Sequence, residues 1–272
     1  DATHSELWSY EGAGIYRNVW LTHTAPVHIP QWGTFVTSEV DLQKKEARVK
    51  AQIEVTNQSG KSVDLIVQNS IIDCQGKEVN KSGTTLTLPS LETKEVETYM
   101  DVRQVDLWSL KTPTLYTLHT DILLDGAVVD SYDTSFGIRD IRFDANEGFF
   151  LNGERVQIQG VCCHQDHAGV GIAVPDQLNA WRIARLKEYG VNAYRASHNP
   201  PTESVLNACD TLGMLVMDEL SDMWTKHKNP NDYALYFLEH VDAEVKSMVK
   251  KDYNHPSVVL YSAGNEIPDL GR

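Results

Sequence analysis

The chain has 272 residues and a mass of 30.5 kDa, and its 41% hydrophobic content can fill one large core or two ordinary ones, which excludes a disordered chain. Its 24 basic and 38 acidic residues give a formal charge of −14, which disfavours nucleic acid or an anionic membrane surface as a partner. No run of 18 apolar residues occurs, so we expect no membrane-spanning helix and no membrane partner.

Residues 33–140 alternate between apolar and polar side chains, which is the period of a half-buried strand. Turn signals such as Asn57 to Gly60 and Asp125-Gly126 separate the runs, as in an immunoglobulin-like β-sandwich. The seven predicted strands are Gly33 to Val40, Glu46 to Thr56, Ser62 to Asp73, Thr84 to Leu88, Lys94 to Val102, Tyr116 to Leu124 and Ala127 to Phe136. We assign residues 1–32, with a predicted strand over Gly14 to Leu21, to a linker or the last strand of a preceding domain.

Residues 141–272 alternate instead between short apolar runs and helical stretches, which predicts a parallel α/β sheet, either doubly wound or closed as a barrel. The predicted strands are Arg155 to Val161, Val191 to Arg195, Met214 to Asp218 and Ser257 to Ser262, and the predicted helices are Pro175 to Tyr189, Thr202 to Leu212 and Tyr233 to Tyr253. The first connection carries no G-x-G-x-x-G turn, so dinucleotide binding has little support. Four strands would form half of an eight-stranded barrel.

Each predicted parallel strand ends in polar side chains, and chemistry in such folds lies at the carboxyl ends of the strands. The polar residues at the four strand ends are Cys162, Cys163, His164, Gln165, Asp166 and His167; Arg195, Ser197, His198 and Asn199; Asp218, Glu219 and Asp222; and Asn265 and Glu266. One sheet edge is therefore predicted to gather imidazole, guanidinium, amide and carboxylate groups.

Glu266 is the sharpest candidate catalyst, because an apolar strand runs into it through small residues that let other groups approach. A carboxyl in a partly desolvated mouth has its neutral form favoured and can protonate a leaving oxygen. A carboxylate that caps the next helix or pairs with Arg195 fits the spacing equally well.

The adjacent acids Asp218 and Glu219 admit two interpretations, a second catalytic carboxylate or a salt-bridged structural role, and the structural role is favoured. Only one of the two can point into the mouth, since neighbouring residues on a strand face opposite sides. Arg195 and His198 could hold a hydroxylated or anionic ligand, and Arg195 could equally keep Glu219 ionised.

Four cysteines are too few for a disulfide scaffold in a chain of this length. Cys162 and Cys163 lie near His164 and His167, yet adjacent strand residues cannot both reach one ion, so small, buried cysteines are preferred to a zinc site. A metal-dependent hydrolase that uses His164, His167 and His198 stays as an alternative.

Several segments together resemble glycoside hydrolase family 2. They are Phe136 to Arg139, Phe150 to Val156, Gly160-Val161, Arg195 to Pro201, Cys209 to Gly213, Met217 to Glu219 and Tyr261 to Glu266, with Gly14 to Arg17 and Leu115-Tyr116 fitting the preceding domains. The resemblance covers nearly the whole chain in the family's order. It implies an immunoglobulin-like sandwich over 33–140, followed over 141–272 by the amino-terminal half of a catalytic (β/α)8 TIM barrel, with the tail of a jelly-roll domain before them.

The resemblance implies a retaining β-glycosidase in which Glu266 is general acid and then general base, and Asn265 contacts the sugar hydroxyl beside the anomeric carbon. It places His198, Arg195, His164, Asp166, Asn199 and Glu219 around the sugar or the carboxylates. Glycine before Asn265 favours a β-galactosidase, with a β-glucuronidase, a β-mannosidase or a non-catalytic carbohydrate-binding module as alternatives. No organic cofactor is implied, although a structural Mg²⁺ or Na⁺ ion is open for the parent protein, as is a periplasmic or secreted location.

The family's nucleophile is a glutamate on a later barrel strand, so we expect this chain to be a fragment that is inactive alone. We also expect self-association through the open half barrel, since unpaired strand edges and uncovered apolar faces favour pairing.

Overall fold

A computed structural model describes residues 14–268 of the chain. The chain divides into two compact units. The sandwich unit comprises Leu21–Gln157 and Tyr253–Pro256, and the barrel unit comprises Ile158–Asp252, Ser257 onward and the segment up to Trp20. The predicted change of architecture, an immunoglobulin-like sandwich followed by part of a TIM barrel, is confirmed.

Two antiparallel sheets of the sandwich unit enclose an apolar core. The strands are β1 (Val27–His28), β2 (Thr34–Asp41), β3 (Glu46–Asn57), β4 (Val63–Ile72), β5 (Glu78–Leu88), β6 (Thr93–Arg103), β7 (Tyr116–Leu124) and β8 (Ala127–Phe136). Strand β3 pairs with β1, β2 and β6, and the second sheet has the order β5-β4-β7-β8. On β3 every second residue from Ala47 to Val55 is buried, because a strand presents alternate side chains to one face.

Three buried polar side chains form a hydrogen-bonded network across this core. The side chain of Asn69 on β4 donates to the hydroxyl of Thr98 on β6 at 2.9 Å and accepts from that of Thr120 on β7 at 2.7 Å. All three residues are at most 5% exposed. The triad therefore links the two sheets by hydrogen bonds that are shielded from solvent.

A small antiparallel sheet follows the sandwich. It consists of β9 (Ile141–Asp144), β10 (Gly148–Leu151) and β11 (Glu154–Arg155).

The barrel unit alternates strictly between parallel strands and helices, as predicted. The elements are β12 (Gly160–His164), α1 (Asp176–Glu188), β13 (Ala193–Ser197), α2 (Glu203–Leu212), β14 (Leu215–Glu219), α3 (Phe237–Asp252) and β15 (Val258–Ser262). The strands lie in the order β12-β13-β14-β15. Gly190 and Gly213 follow α1 and α2 with φ of 85° and 72°, a conformation that glycine adopts without a steric penalty. In the described part of the chain, no helix combines the length and apolarity needed to span a membrane.

Three sequence predictions about elements are wrong. The segment from Gly14 to Leu21 forms no strand, since a strand needs a hydrogen-bonded neighbour and the described residues offer it none. The first barrel strand is Gly160–His164 rather than Arg155 to Val161, because the parallel ladder with β13 begins where Gly160 meets Ala193. Strand β5 begins at Glu78 rather than Thr84; it is an edge strand, so polar residues were mistaken for a loop.

Candidate active site

The four parallel strands bring their carboxyl ends to one edge of the sheet. His164 at the end of β12 is paired in register with Ser197 at the end of β13, and Glu219 at the end of β14 is paired with Ser262 at the end of β15. The polar residues that follow these strands therefore share one edge, as the sequence predicts.

Glu219 is the centre of this edge and is fully buried. The guanidinium of Arg195 donates to Glu219 Oε2 from Nη2 at 2.6 Å and from Nε at 3.0 Å, and the Ser262 hydroxyl donates to the same oxygen at 2.7 Å. His198 lies with Nδ1 2.6 Å from Oε1. Because both carboxylate oxygens are occupied by donors, Glu219 has the salt-bridged role that the sequence analysis favoured.

Asn265 is held on both sides of its amide. Its Oδ1 accepts from Arg195 Nη2 at 2.9 Å, and its Nδ2 donates to Asp222 Oδ1 at 2.8 Å. Its backbone nitrogen also donates to the carbonyl of Ser221 at 2.9 Å. The orientation of the amide is thus fixed, and Nδ2 carries a second hydrogen that a ligand hydroxyl can accept.

Glu266 lies four residues beyond the end of β15, and its backbone has a positive φ of 49°. Its side chain is 80% exposed, with Oε2 3.6 Å from Lys228 Nζ. The described residues therefore do not provide the partly desolvated surroundings that were expected for the Glu266 carboxyl. Small residues do permit close packing here, as predicted, because a Cβ on Gly264 would lie 2.7 Å from the Ile267 side chain and 3.1 Å from Ser221 O.

Asp218 points to the opposite side of β14 from Glu219 and is fully buried. Its neighbour is the buried carboxyl of Asp252 at the end of α3. Burial, followed by the negative charge of Asp252, raises the pKa of Asp218 to about 8. Near neutral pH Asp218 is thus protonated and can donate to Asp252, which is also paired with Lys251.

The remaining predicted site residues, His164, Asp166 and Asn199, lie at or just after the ends of β12 and β13. The His164 ring stands edge-on to His198 with 5.2 Å between centroids, so these two imidazoles share the mouth. Asn199 donates instead to Gln165 Oε1 at 3.1 Å, and Arg17 donates to the same oxygen at 2.9 Å. Asp166 lies beside Gln165 in the loop after β12.

The cysteines depart from the prediction that they are small and buried. Cys209 is buried, whereas Cys162 is exposed and Cys163 is half-buried. Cys162 Sγ lies 3.6 Å from Arg195 Nη1, so it belongs to the same edge. Within residues 14–268, no three His, Cys, Asp or Glu side chains are grouped so that they could hold a metal ion.

Sequence reasoning missed Lys228. This residue lies in the long loop after β14, nine positions beyond Glu219, where no periodic pattern indicates which side chains turn back to the sheet. Its Nζ donates to Asp222 Oδ1 at 2.8 Å and to the carbonyl of Asn265 at 3.1 Å. Trp224 in the same loop donates from Nε1 to Ala263 O at 2.9 Å and stacks on Phe237.

Two family profiles match the chain. "Glycosyl hydrolases family 2" covers residues 27–139, and "Glycosyl hydrolases family 2, TIM barrel domain" covers residues 144–271. Among curated relatives, the β-galactosidase BoGH2A of Bacteroides ovatus is 39% identical over 95% of this chain, which corresponds to 30% of that protein.

Solved structures agree with these matches. A glycosyl hydrolase family 2 member from Bacteroides cellulosilyticus superposes with a TM-score of 0.92 at 40% identity, over 96% of this chain and 33% of that one. The Bacteroides uniformis β-glucuronidase superposes with a TM-score of 0.82 at 29% identity, over 93% of this chain and 30% of that one. The chain thus spans about a third of the length of these relatives. It belongs to glycosyl hydrolase family 2.

Proposed function

We propose that the protein containing this chain is a retaining β-glycosidase of the β-galactosidase type. The observation that carries the proposal is the pair Asn265-Glu266, presented beside the network of Arg195, His198 and Glu219 at the carboxyl edge of the parallel strands. The 39% identity to a β-galactosidase supports the choice of sugar.

In this mechanism Glu266 gives its proton to the glycosidic oxygen as the bond to the leaving group breaks, and then takes a proton from the water that releases the sugar. Exposure of the Glu266 side chain to solvent in this chain leaves its carboxyl accessible to a bound glycoside. Asn265 gives its second amide hydrogen to the sugar hydroxyl beside the anomeric carbon.

The second carboxylate that retention requires comes from a part of the protein outside this chain. Glu219 is unsuited to the role, because its buried carboxylate is already occupied by Arg195, His198 and Ser262. A nucleophile must offer a lone pair to the anomeric carbon, about 5 Å from the acid. The isolated chain is therefore proposed to be inactive.

His198 contributes to the sugar subsite through the far side of its ring. The Glu219 carboxylate accepts a hydrogen bond from His198 Nδ1, so Nε2 lies on the opposite side of the ring. A sugar hydroxyl can form a hydrogen bond with Nε2 there. His164 lies beside His198 and is assigned to the same subsite, and the proposal also assigns Asp166 and Asn199 to it from the family resemblance. Arg195 acts on the sugar through Asn265 and Glu219, to which it donates hydrogen bonds.

The test is hydrolysis of aryl β-glycosides by the full-length protein and its Glu266→Ala variant, with the present chain as a parallel sample. We expect the wild type to release galactose with retained configuration and the variant to lose at least about 100-fold in kcat/KM. Azide should restore part of the variant's turnover as a β-glycosyl azide. Full activity of Glu266→Ala would refute the role of Glu266.

A β-glucuronidase is the second candidate, because a solved relative with a TM-score of 0.82 is one. A glucuronide in the same panel separates the two functions. Preferred cleavage of the glucuronide would replace galactose by glucuronic acid, and it would leave the role of Glu266 unchanged.

A further inference from the structure

Lys228 places an ammonium group between three oxygens at the active edge. Its Nζ lies 2.8 Å from Asp222 Oδ1, 3.1 Å from the carbonyl oxygen of Asn265 and 3.6 Å from Glu266 Oε2. An ammonium group has three hydrogens, so each of these oxygens can face one of them. The side chain is only 22% exposed, unlike a typical surface lysine.

The loop that carries Lys228 is itself held in place. The carboxylate of Asp232 accepts hydrogen bonds from the backbone nitrogens of Lys228, Asn229 and Ala234 at 2.6, 2.8 and 3.0 Å. The Asp232 side chain is 1% exposed and also lies 3.0 Å from His227 Nδ1. Lys228 is therefore fixed at its backbone as well as at its ammonium group.

Asp222 connects Lys228 to the rest of the site. One oxygen of Asp222 accepts from both Lys228 Nζ and Asn265 Nδ2. Partial burial acts to raise the pKa of Asp222, but the hydrogen bonds from Lys228 and Asn265 and the nearby His198 lower it overall. Asp222 is thus a carboxylate that pairs with the ammonium group of Lys228 and directs it toward the Asn265-Glu266 peptide.

We propose that Lys228 is a positioning residue for Glu266. Lys228 holds the Glu266 side chain from one side, and it stabilises the Glu266 carboxylate as the carboxyl group gives up its proton. This inference rests on the proposed function, since it concerns the acid of the same reaction. When Glu266 protonates the glycosidic oxygen, the leaving group departs as an alcohol and the carboxyl becomes an anion. Lys228 lies where that negative charge develops, and a fixed cation stabilises it without reorganisation.

The dependence of kcat/KM on the leaving group separates this role from a structural one. Dinitrophenolate departs without a proton, whereas an alkoxide requires one from the acid. In the full-length protein, Lys228→Met should lower kcat/KM about tenfold for an alkyl β-galactoside and less than about twofold for the dinitrophenyl β-galactoside. Lys228→Arg should restore most of the loss, because it keeps the charge.

Lys226→Met is the matched control. Lys226 is in the same loop and donates to the carbonyl of Pro268 at 3.1 Å, so it anchors the same segment without an ion pair to Glu266. We expect no leaving-group effect on kcat/KM in this variant. Lys228→Gln, which keeps hydrogen-bonding ability without charge, replaces Lys228→Met if the apolar variant folds poorly.

The outcomes are distinct. Equal losses on the two substrates, or the same selective loss in Lys226→Met, overturn the role of Lys228 while the β-glycosidase stands. A wild-type protein that turns over none of the glycosides refutes the proposed function, and the inference falls with it. Selective loss on the alkyl glycoside that Arg rescues supports the positioning role.

Discussion

Asp218→Asn should stabilise the barrel unit, and the stabilisation should increase with pH. Asp218 is fully buried beside the Asp252 carboxyl, and these surroundings raise the pKa of Asp218 from 3.8 to about 8. Asparagine has nearly the same shape and is always neutral, so it can keep donating to Asp252. In the folded wild type Asp218 must instead keep a proton, and the unfolded chain releases this proton readily.

The sign and size follow from proton linkage. A carboxyl whose pKa is raised on folding contributes stability that is fully present below pH 3.8 and is lost as the pH rises through about 8. Between these values the folded state binds one more proton, so stability falls by about 1.4 kcal/mol per pH unit. From pH 5 to pH 7 the wild type should lose roughly 3 kcal/mol relative to Asp218→Asn.

The measurement is hydrogen exchange by mass spectrometry on the full-length protein at pH 5 and pH 7, since exchange reports the opening free energy of β14 and α3 separately from other domains. Asp252→Asn is the control, because it removes the neighbouring charge but leaves Asp218 buried. It should show part of the pH dependence. If the opening free energies of wild type and Asp218→Asn differ by the same amount at both pH values, Asp218 does not carry the assigned proton.

Two further substitutions test the packing around the site and in the core. Gly264→Ala should lower kcat/KM of the full-length protein at least about tenfold, because the new Cβ would displace Ile267 and shift the Asn265-Glu266 peptide. Gly60→Ala is the control, because a Cβ at that position meets nothing within 4 Å. Equal activity in the two variants would contradict the argument. Asn69→Ala should destabilise the sandwich unit by about 2 to 3 kcal/mol, because it leaves two threonine hydroxyls buried without their partner; hydrogen exchange of β4 checks this, and unchanged protection would argue against the triad.

The sequence alone determines the architecture, because hydrophobic periodicity is a local property. Strands β7 and β8 lie at Tyr116–Leu124 and Ala127–Phe136, the predicted bounds, since a turn at Asp125-Gly126 separates two alternating runs. The alternation of strand and helix after residue 158 likewise indicates a parallel sheet, and parallel strands place their carboxyl ends at one edge. The gathering of Arg195, His198, Glu219 and Asn265 follows from that rule.

The tertiary structure decides which of these side chains are paired and which face solvent. Periodicity shows that Asp218 and Glu219 face opposite sides, but only the position of the end of α3 in the tertiary structure makes Asp218 the neighbour of Asp252. The sequence also gives no sign that Lys228 returns to Glu266, because a loop has no period and its path depends on the Asp232 hydrogen bonds. Contacts between residues distant in sequence depend on how the chain packs, and local pattern does not encode them.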